Sequence, residues 1–262
     1  MKRIISSIAA AVLLSGAAYA APVDLSSWGE NGFKGNLGAG NWTLQSGNNA
    51  VRQSTNGDPT VFFEAGSNAQ GTSLAGTITP ESSTDDDFIG FVLGYQDGEL
   101  DSTNSDFWLI DWKQGTQTFG GQTALVGLSL SHVTGDIANG PNATNSFWNH
   151  TSTVNEVQRA TNLGSTGWVD PQTYSFELIF TADLIEVKVD GTTELSYTSA
   201  QHGSSFTDGA FGFYNYSQAP VLYAGITEDV LPPPNPVPLP AGLPLMLAGV
   251  GAFAWMRRRQ GT

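Results

Sequence analysis

Three consecutive carboxylates, Asp85, Asp86 and Asp87, run directly into the apolar stretch Phe88 to Tyr95. Adjacent like charges repel, and the repulsion is greatest at the start of a buried strand, whose rigidity keeps the side chains from splaying apart. A bound cation would remove that penalty, and donors that are all carboxylate oxygens suit a hard ion such as calcium. A solvated acidic loop ahead of a strand has the same composition, so the residues alone leave both readings open. Hydrolytic chemistry on sugars needs two carboxylates about 5 to 10 Å apart across the scissile bond. On one strand face that is a spacing of two or four residues. Glu186 and Asp190 have the spacing, but Lys188 lies between them on the same face and Asp190 belongs to a turn. Asp106 and Asp111, five apart, fall on opposite faces of a strand. His132, His150 and His202 show no ligand or nucleophile spacing and read as surface or satisfied histidines. The chain has no cysteine, no G-x-S-x-G elbow, no H-E-x-x-H pair and no glycine-rich phosphate loop, and it reads as non-catalytic.

The elements that must position the acidic triplet are strands. Tyr174, Phe176, Leu178 and Phe180 line one face at period two, and Leu184 to Val189 alternates, with Ile185, Val187 and Val189 together. Asp190-Gly191 then makes a two-residue hairpin turn, with Leu195 and Tyr197 on the return strand. Ala210 to Tyr216 is a dense aromatic run that leads into Val221 to Ile226, and the 31 glycines supply the many tight turns such a chain requires. No helical period survives for more than about two turns. About a dozen short strands in one domain predict an all-β, two-sheet antiparallel sandwich of jelly-roll type, without helices. Trp108, Trp112, Trp148 and Trp168 stand at strand positions beside other apolar residues, where core packing outweighs stacking on a ligand. Gln114 and Gln117, beside an aromatic strand, read as cross-strand bonded rather than ligand-facing.

The two ends carry address signals. Residues 1–20 have a basic start (Lys2, Arg3), an apolar centre and the small-residue end Ala18-Tyr19-Ala20, a secretory signal peptide whose removal leaves a mature chain from Ala21. Residues 21–230 form the domain, with all 24 acidic residues against 5 basic ones and a formal charge of −19. So acidic a surface repels phosphate backbones and anionic lipid, which argues against nucleic-acid and peripheral membrane partners. A proline-rich linker, residues 231–236, precedes a final segment, residues 237–262, that is uncharged from Ala241 to Met256 and ends in Arg257, Arg258 and Arg259. That is a marginal membrane span with a cytoplasmic arginine cluster. Val237-Pro238-Leu239-Pro240-Ala241, the apolar helix and the arginines together resemble the VPLPA-type relatives of bacterial PEP-CTERM sorting signals. The resemblance implies an exosortase-like processing protease and delivery to the cell surface or its matrix, with membrane attachment only through this tail. An ordinary permanent anchor would give nearly the same topology.

Between the ends, DDDFIGFVLGYQ (Asp85 to Gln96), FWLIDWKQGTQTF (Phe107 to Phe119), GLSLSHVTG (Gly127 to Gly135), the Trp148 region, GWVDPQTYSFEL (Gly167 to Leu178) and FGFYNYSQ (Phe211 to Gln218) follow in the order found in the C-terminal domain of thrombospondins. The chain resembles that family over roughly residues 25 to 228. The resemblance implies a concanavalin-like, L-type lectin jelly roll, with calcium held by Asp85, Asp86 and Asp87. Asp97, Asp111 and Asp208 are further candidate ligands on chemistry alone, with no motif to assign them. The chain differs from the animal domain in lacking the neighbouring calcium-repeat modules and any cysteine, so the animal proteins' receptor functions do not carry over. The expected function is a secreted, calcium-stabilised adhesion module that binds an extracellular glycan or matrix component. The alternatives are a structural matrix protein that recognises no particular ligand and, behind it, a glycoside hydrolase built on a jelly roll.

Overall fold

The computed structural model describes residues 20–35, 37–140 and 143–232. The expected signal peptide, apart from Ala20, and the expected sorting tail, with residues 233–236 of the linker before it, lie outside the described residues. Two antiparallel sheets make up the domain. One runs in the order β15 (Thr192–Thr198), β14 (Leu184–Val189), β13 (Tyr174–Phe180), β6 (Thr72–Pro80), β17 (Val221–Val230), β4 (Ala50–Gln53), β3 (Trp42–Leu44), with β1 (Ala21–Pro22) also paired to β17. The other runs β12 (Val154–Arg159), β11 (Gly127–Gly135), β8 (Ser105–Lys113), β7 (Phe88–Tyr95), β16 (Ala210–Tyr216), β5 (Thr60–Phe63), β2 (Gly29–Gly32). A small hairpin, β9 (Gln117–Phe119) with β10 (Gln122–Ala124), stands apart from both.

The alternating pattern read from sequence is the pattern of burial. Ile185, Val187 and Val189 face inward, as do Tyr174, Phe176, Leu178 and Phe180. Asp190 and Gly191 both adopt positive φ, 48° and 75°, which matches the two-residue turn. Between the sheets, Ile89, Phe91 and Leu93 of β7 and Trp108, Ile110 and Trp112 of β8 meet the inner face of β13, with the rings of Phe91 and Phe176 4.5 Å apart. Burying a side chain of this size contributes roughly 1.5–3 kcal/mol.

The seven-stranded sheet is covered on its other face as well. Phe88, Val92, Phe107, Leu109 and Tyr214 form a second core there, roofed by Phe147 and Trp148 and by Ala124 of the small hairpin. Every residue of β7 is therefore buried, which is why its sequence is a continuous apolar run and does not alternate. The roof departs from the helix-free expectation: Phe147 and Trp148 belong to α1 (Ala143–Asn149), and a second short helix, α2 (Ser199–His202), follows β15. A seven-residue helix is too short for its period to show against strand patterning, and it is held by packing rather than propensity. Of the four tryptophans assigned to strands, Trp148 lies on α1 and Trp168 in a loop, yet both are buried as expected.

Two close approaches shape the rim that carries the acidic triplet. A Cβ at Gly90 would lie 2.0 Å from the Ile110 carbonyl oxygen, so only glycine lets β7 and β8 pair there. A Cβ at Gly167 would lie 1.8 Å from the Gln114 carbonyl oxygen, so glycine lets the loop bearing Trp168 press against the end of β8.

Candidate cation site and the charges around it

Asp85, Asp86 and Asp87 end the loop before β7, and the β7–β8 register places Lys113 opposite Phe88. Lys113 therefore reaches the triplet from the neighbouring strand, on the roofed face of the sheet. Its side chain is fully buried, 0% exposed, and its ammonium is held from several sides. Nζ donates to Asp87 Oδ1 at 2.6 Å, to the Asp86 carbonyl at 3.1 Å and to Gln117 Oε1 at 3.1 Å, with Asp86 Oδ1 at 3.5 Å. The rings of Trp148 and Phe88 lie 4.8 and 5.3 Å from it, within cation–π range.

The triplet itself is tied down by its backbone. The Asp87 amide donates to Gln218 Oε1 at 3.1 Å, the Trp168 indole N–H donates to the Asp87 carbonyl at 3.1 Å, and the Gln114 amide donates to the Asp86 carbonyl at 3.1 Å. The Asp85 carboxylate accepts from the Asn56 amide and from the Asp86 N–H. One carboxylate oxygen from each of the three residues lies within 4.8 Å of the others. Asp87 is buried, whereas Asp85 and Asp86 line an open groove of about 270 Å³ with Ser83, Thr84, Gln114 and Gln117. Burial pushes the Asp87 carboxyl up to about 6; the Lys113 ammonium pulls it down and the Asp85 charge adds to the rise.

Lys113 alters the electrostatics inferred from sequence. The triplet does not depend on an external ion alone for its positive charge, because one cation is supplied by the chain. Three carboxylates against one ammonium still leave two negative charges. The donor set, convergent hard oxygens at the edge of a polar groove, fits a divalent ion such as calcium. The missed signal was the lysine that ends the apolar run FWLIDWK, 26 residues from Asp87 in sequence and beside it once β7 and β8 pair.

A second charged group lies on the same face of the sheet. Asp111, 1% exposed, accepts from the imidazole of His150 at 2.9 Å and from the Ser129 hydroxyl at 3.0 Å. The other ring nitrogen of His150 lies 3.2 Å from Glu156, which is gripped by the Arg159 guanidinium through two bonds of 3.0 and 2.7 Å. Burial would lower the His150 pKa, but the carboxylates of Asp111 and Glu156 outweigh it and raise the imidazole to about 9. Burial likewise opposes the charge of Glu156, yet His150 and Arg159 hold it at about 2. Two anions meet two cations, and the group is closed.

The remaining sequence candidates are placed elsewhere. Asp111 is committed to His150, Asp97 accepts from the Asn31 amide at 3.0 Å, and Asp208 accepts the Gln70 and Gly209 backbone N–H groups at 3.0 and 2.8 Å. Among the described residues, the acidic triplet alone forms a convergent group of three metal-type donors. Gln117 lies on β9 opposite Ala124 of β10 and its side chain accepts from Lys113 of β8, as a cross-strand partner should; Gln114 instead donates to Asp170 in a loop at 3.0 Å, and both line the groove. His132 and His202, remote in sequence, meet with ring centroids 5.0 Å apart around the indole of Trp108. Glu186 and Asp190 are not poised as an acid–base pair, since Lys188 bonds Glu177 at 2.9 Å and sits 3.6 Å from Glu186, while Asp190 accepts from Ser175.

Comparison with known proteins places these features. Among solved structures, the fold is similar to the carbohydrate binding module CBM66 from Bacillus subtilis, with a TM-score of 0.50, 8% identity and coverage of 78% of this chain and 95% of that one. Galectin LEC-6 of Caenorhabditis elegans is also similar, with a TM-score of 0.36, 11% identity and coverage of 74% and 98%. Thrombospondin-4-B of Danio rerio is 27% identical over 207 residues, and thrombospondin-3 of Homo sapiens is 27% identical over 197. These alignments cover 73% and 71% of this chain but only 21% and 20% of the relatives, so the chain spans about a fifth of the length of the curated proteins it matches. The model for the thrombospondin C-terminal region matches residues 38–230, from the strands before the acidic loop to the end of β17, and the chain belongs to that family.

Proposed function

We propose that this domain is a calcium-stabilised adhesion module, non-catalytic and displayed at the cell surface, that recognises an extracellular glycan or matrix component through the rim carrying Asp85, Asp86 and Asp87. The observation that carries the proposal is the residual charge of the triplet: three converging carboxylates, one buried ammonium and an open groove beside them. Calcium, when bound, would supply the missing positive charge and cross-link the loop before β7. The chain's own part is to hold the donors in register, through Trp168, Gln218 and Gln114, so that little ordering entropy is lost on binding. Ser83, Thr84, Gln114 and Gln117 offer hydroxyls and amides, which suit neutral sugar hydroxyls, while the acidic surface turns away polyanions. The signal peptide and the VPLPA-type tail support export, an exosortase-like processing partner and retention at the surface or its matrix.

A glycan array probed with the secreted domain in calcium and in chelator tests the reading. Saturable binding that chelator abolishes is the expected result. An array empty under both conditions would overturn glycan recognition and favour a structural matrix protein retained by its tail alone.

A further inference from the structure

We infer that Lys113 is the residue that sets the cation preference of the triplet, by cancelling one of its three charges so that the site matches one divalent ion. The inference builds on the triplet being the calcium site. Lys113 is not a mobile surface lysine that could swing away when an ion arrives. It is fully buried, and its ammonium is bonded to Asp87, Gln117 and the Asp86 carbonyl and flanked by Trp148 and Phe88. Its ammonium is therefore held in place beside the triplet. With it, the triplet presents two net negative charges to an incoming ion; without it, three. The neighbouring group built on Asp111 shows that this sheet face can close its charges to zero, with His150 and Arg159 against Asp111 and Glu156. At the triplet a single lysine faces three acids, and the uncancelled charge lies on the groove side, where Asp85 and Asp86 are accessible and Asp87 is not.

A fixed ammonium a few ångströms from the donors repels an added cation in proportion to that cation's charge. It therefore weakens calcium and weakens a trivalent ion more. Lys113 also occupies one oxygen of Asp87, which its removal would release to the site.

Terbium and calcium titrations of the folded domain test this, read by terbium luminescence sensitised through Trp168, whose indole bonds the Asp87 carbonyl. The variants are Lys113→Gln, which keeps a donor and removes the charge, Lys113→Arg, which keeps the charge, and Asp86→Asn, which reports whether the signal arises at the triplet. Lys113→Gln is expected to tighten calcium about tenfold and terbium by a larger factor, while Lys113→Arg stays within about threefold of the wild type. Should Lys113→Gln be unfolded in chelator, saturating calcium is expected to restore its fold, because the ion replaces the missing positive charge. Equal or weaker calcium binding by a folded Lys113→Gln, equal gains for the two ions, or a variant that stays unfolded in saturating calcium would each overturn the role given to Lys113. If the wild type itself binds neither ion, or binds both as well after Asp86→Asn, then the triplet is not the calcium site and the premise fails with it.

Discussion

The roofed face of the seven-stranded sheet carries two clusters of charge, close to each other and built differently. Around His150, two carboxylates meet an imidazolium and a guanidinium, and each charge has a bonded partner. Around Lys113, three carboxylates meet one ammonium, and the surplus faces an open groove. A closed group of this kind fixes the sheet to its roof and has no charge left for a ligand. An open one retains electrostatic work that an ion can do. Charge balance, rather than the number of acids, separates a structural cluster from a candidate site.

The largest effect that would sharpen the contrast comes from breaking the closed group. His150→Ala leaves Asp111 buried without its cationic partner, and is expected to destabilise the fold by about 3–5 kcal/mol, lowering the melting temperature by on the order of 10 °C. Calorimetry should show that loss equally in calcium and in chelator. A loss seen only in chelator would tie the two groups together and undo the comparison. Next comes Asp86→Asn. Its side chain is about 40% exposed and makes only a long contact to Lys113, so stability in chelator is expected to change by less than about 1 kcal/mol. Calcium affinity, followed by titration calorimetry, is expected to fall at least tenfold, since one of three anionic donors is lost.

The pH dependence probes the closed group further. Because the His150 pKa is raised to about 9 in the folded state, its contribution is complete below the unfolded value near 6.5 and disappears as pH rises through 9. Glu156, held at about 2, contributes above its unfolded value near 4.5 and loses that contribution as pH falls towards 2. Melting curves in chelator from pH 6 to 10 are expected to show an alkaline decline that His150→Gln removes. The smallest effect is assigned to the small hairpin. Phe119 is 73% exposed, its nearest aromatic neighbour Trp148 lies 6.2 Å away, and Phe119→Ser is expected to leave stability within about 0.5 kcal/mol.

Which parts were legible in the sequence follows from where the determining contacts lie. The β14–β15 hairpin was readable because its pattern and its Asp190-Gly191 turn are both local. The triplet was readable because three adjacent carboxylates before an apolar run are themselves an anomaly. Lys113 was not, since its meaning depends on the β7–β8 register, and a lysine ending a strand ordinarily faces water. The group around His150 was hidden for the same reason: Asp111, Ser129, His150 and Glu156 come from three strands and the turn after α1. That turn holds His150 at a φ of 52°, which no periodicity reveals. Asp111 shows the reverse case, an acid that chemistry alone offered to calcium and that the fold commits to a histidine.

The central claim, that the triplet's surplus charge is met by a divalent ion, is tested most directly by scanning calorimetry of the domain across calcium concentrations and in chelator. An ion bound by the folded state alone adds RT ln(1 + c/Kd) at free calcium concentration c, about 1.4 kcal/mol for each decade of free calcium above the dissociation constant. For a domain of this size the melting temperature should then climb by about 3 to 5 °C per decade, and in Asp86→Asn the climb should begin at least a decade higher in calcium. Melting curves that superimpose in chelator and in millimolar calcium would contradict the account.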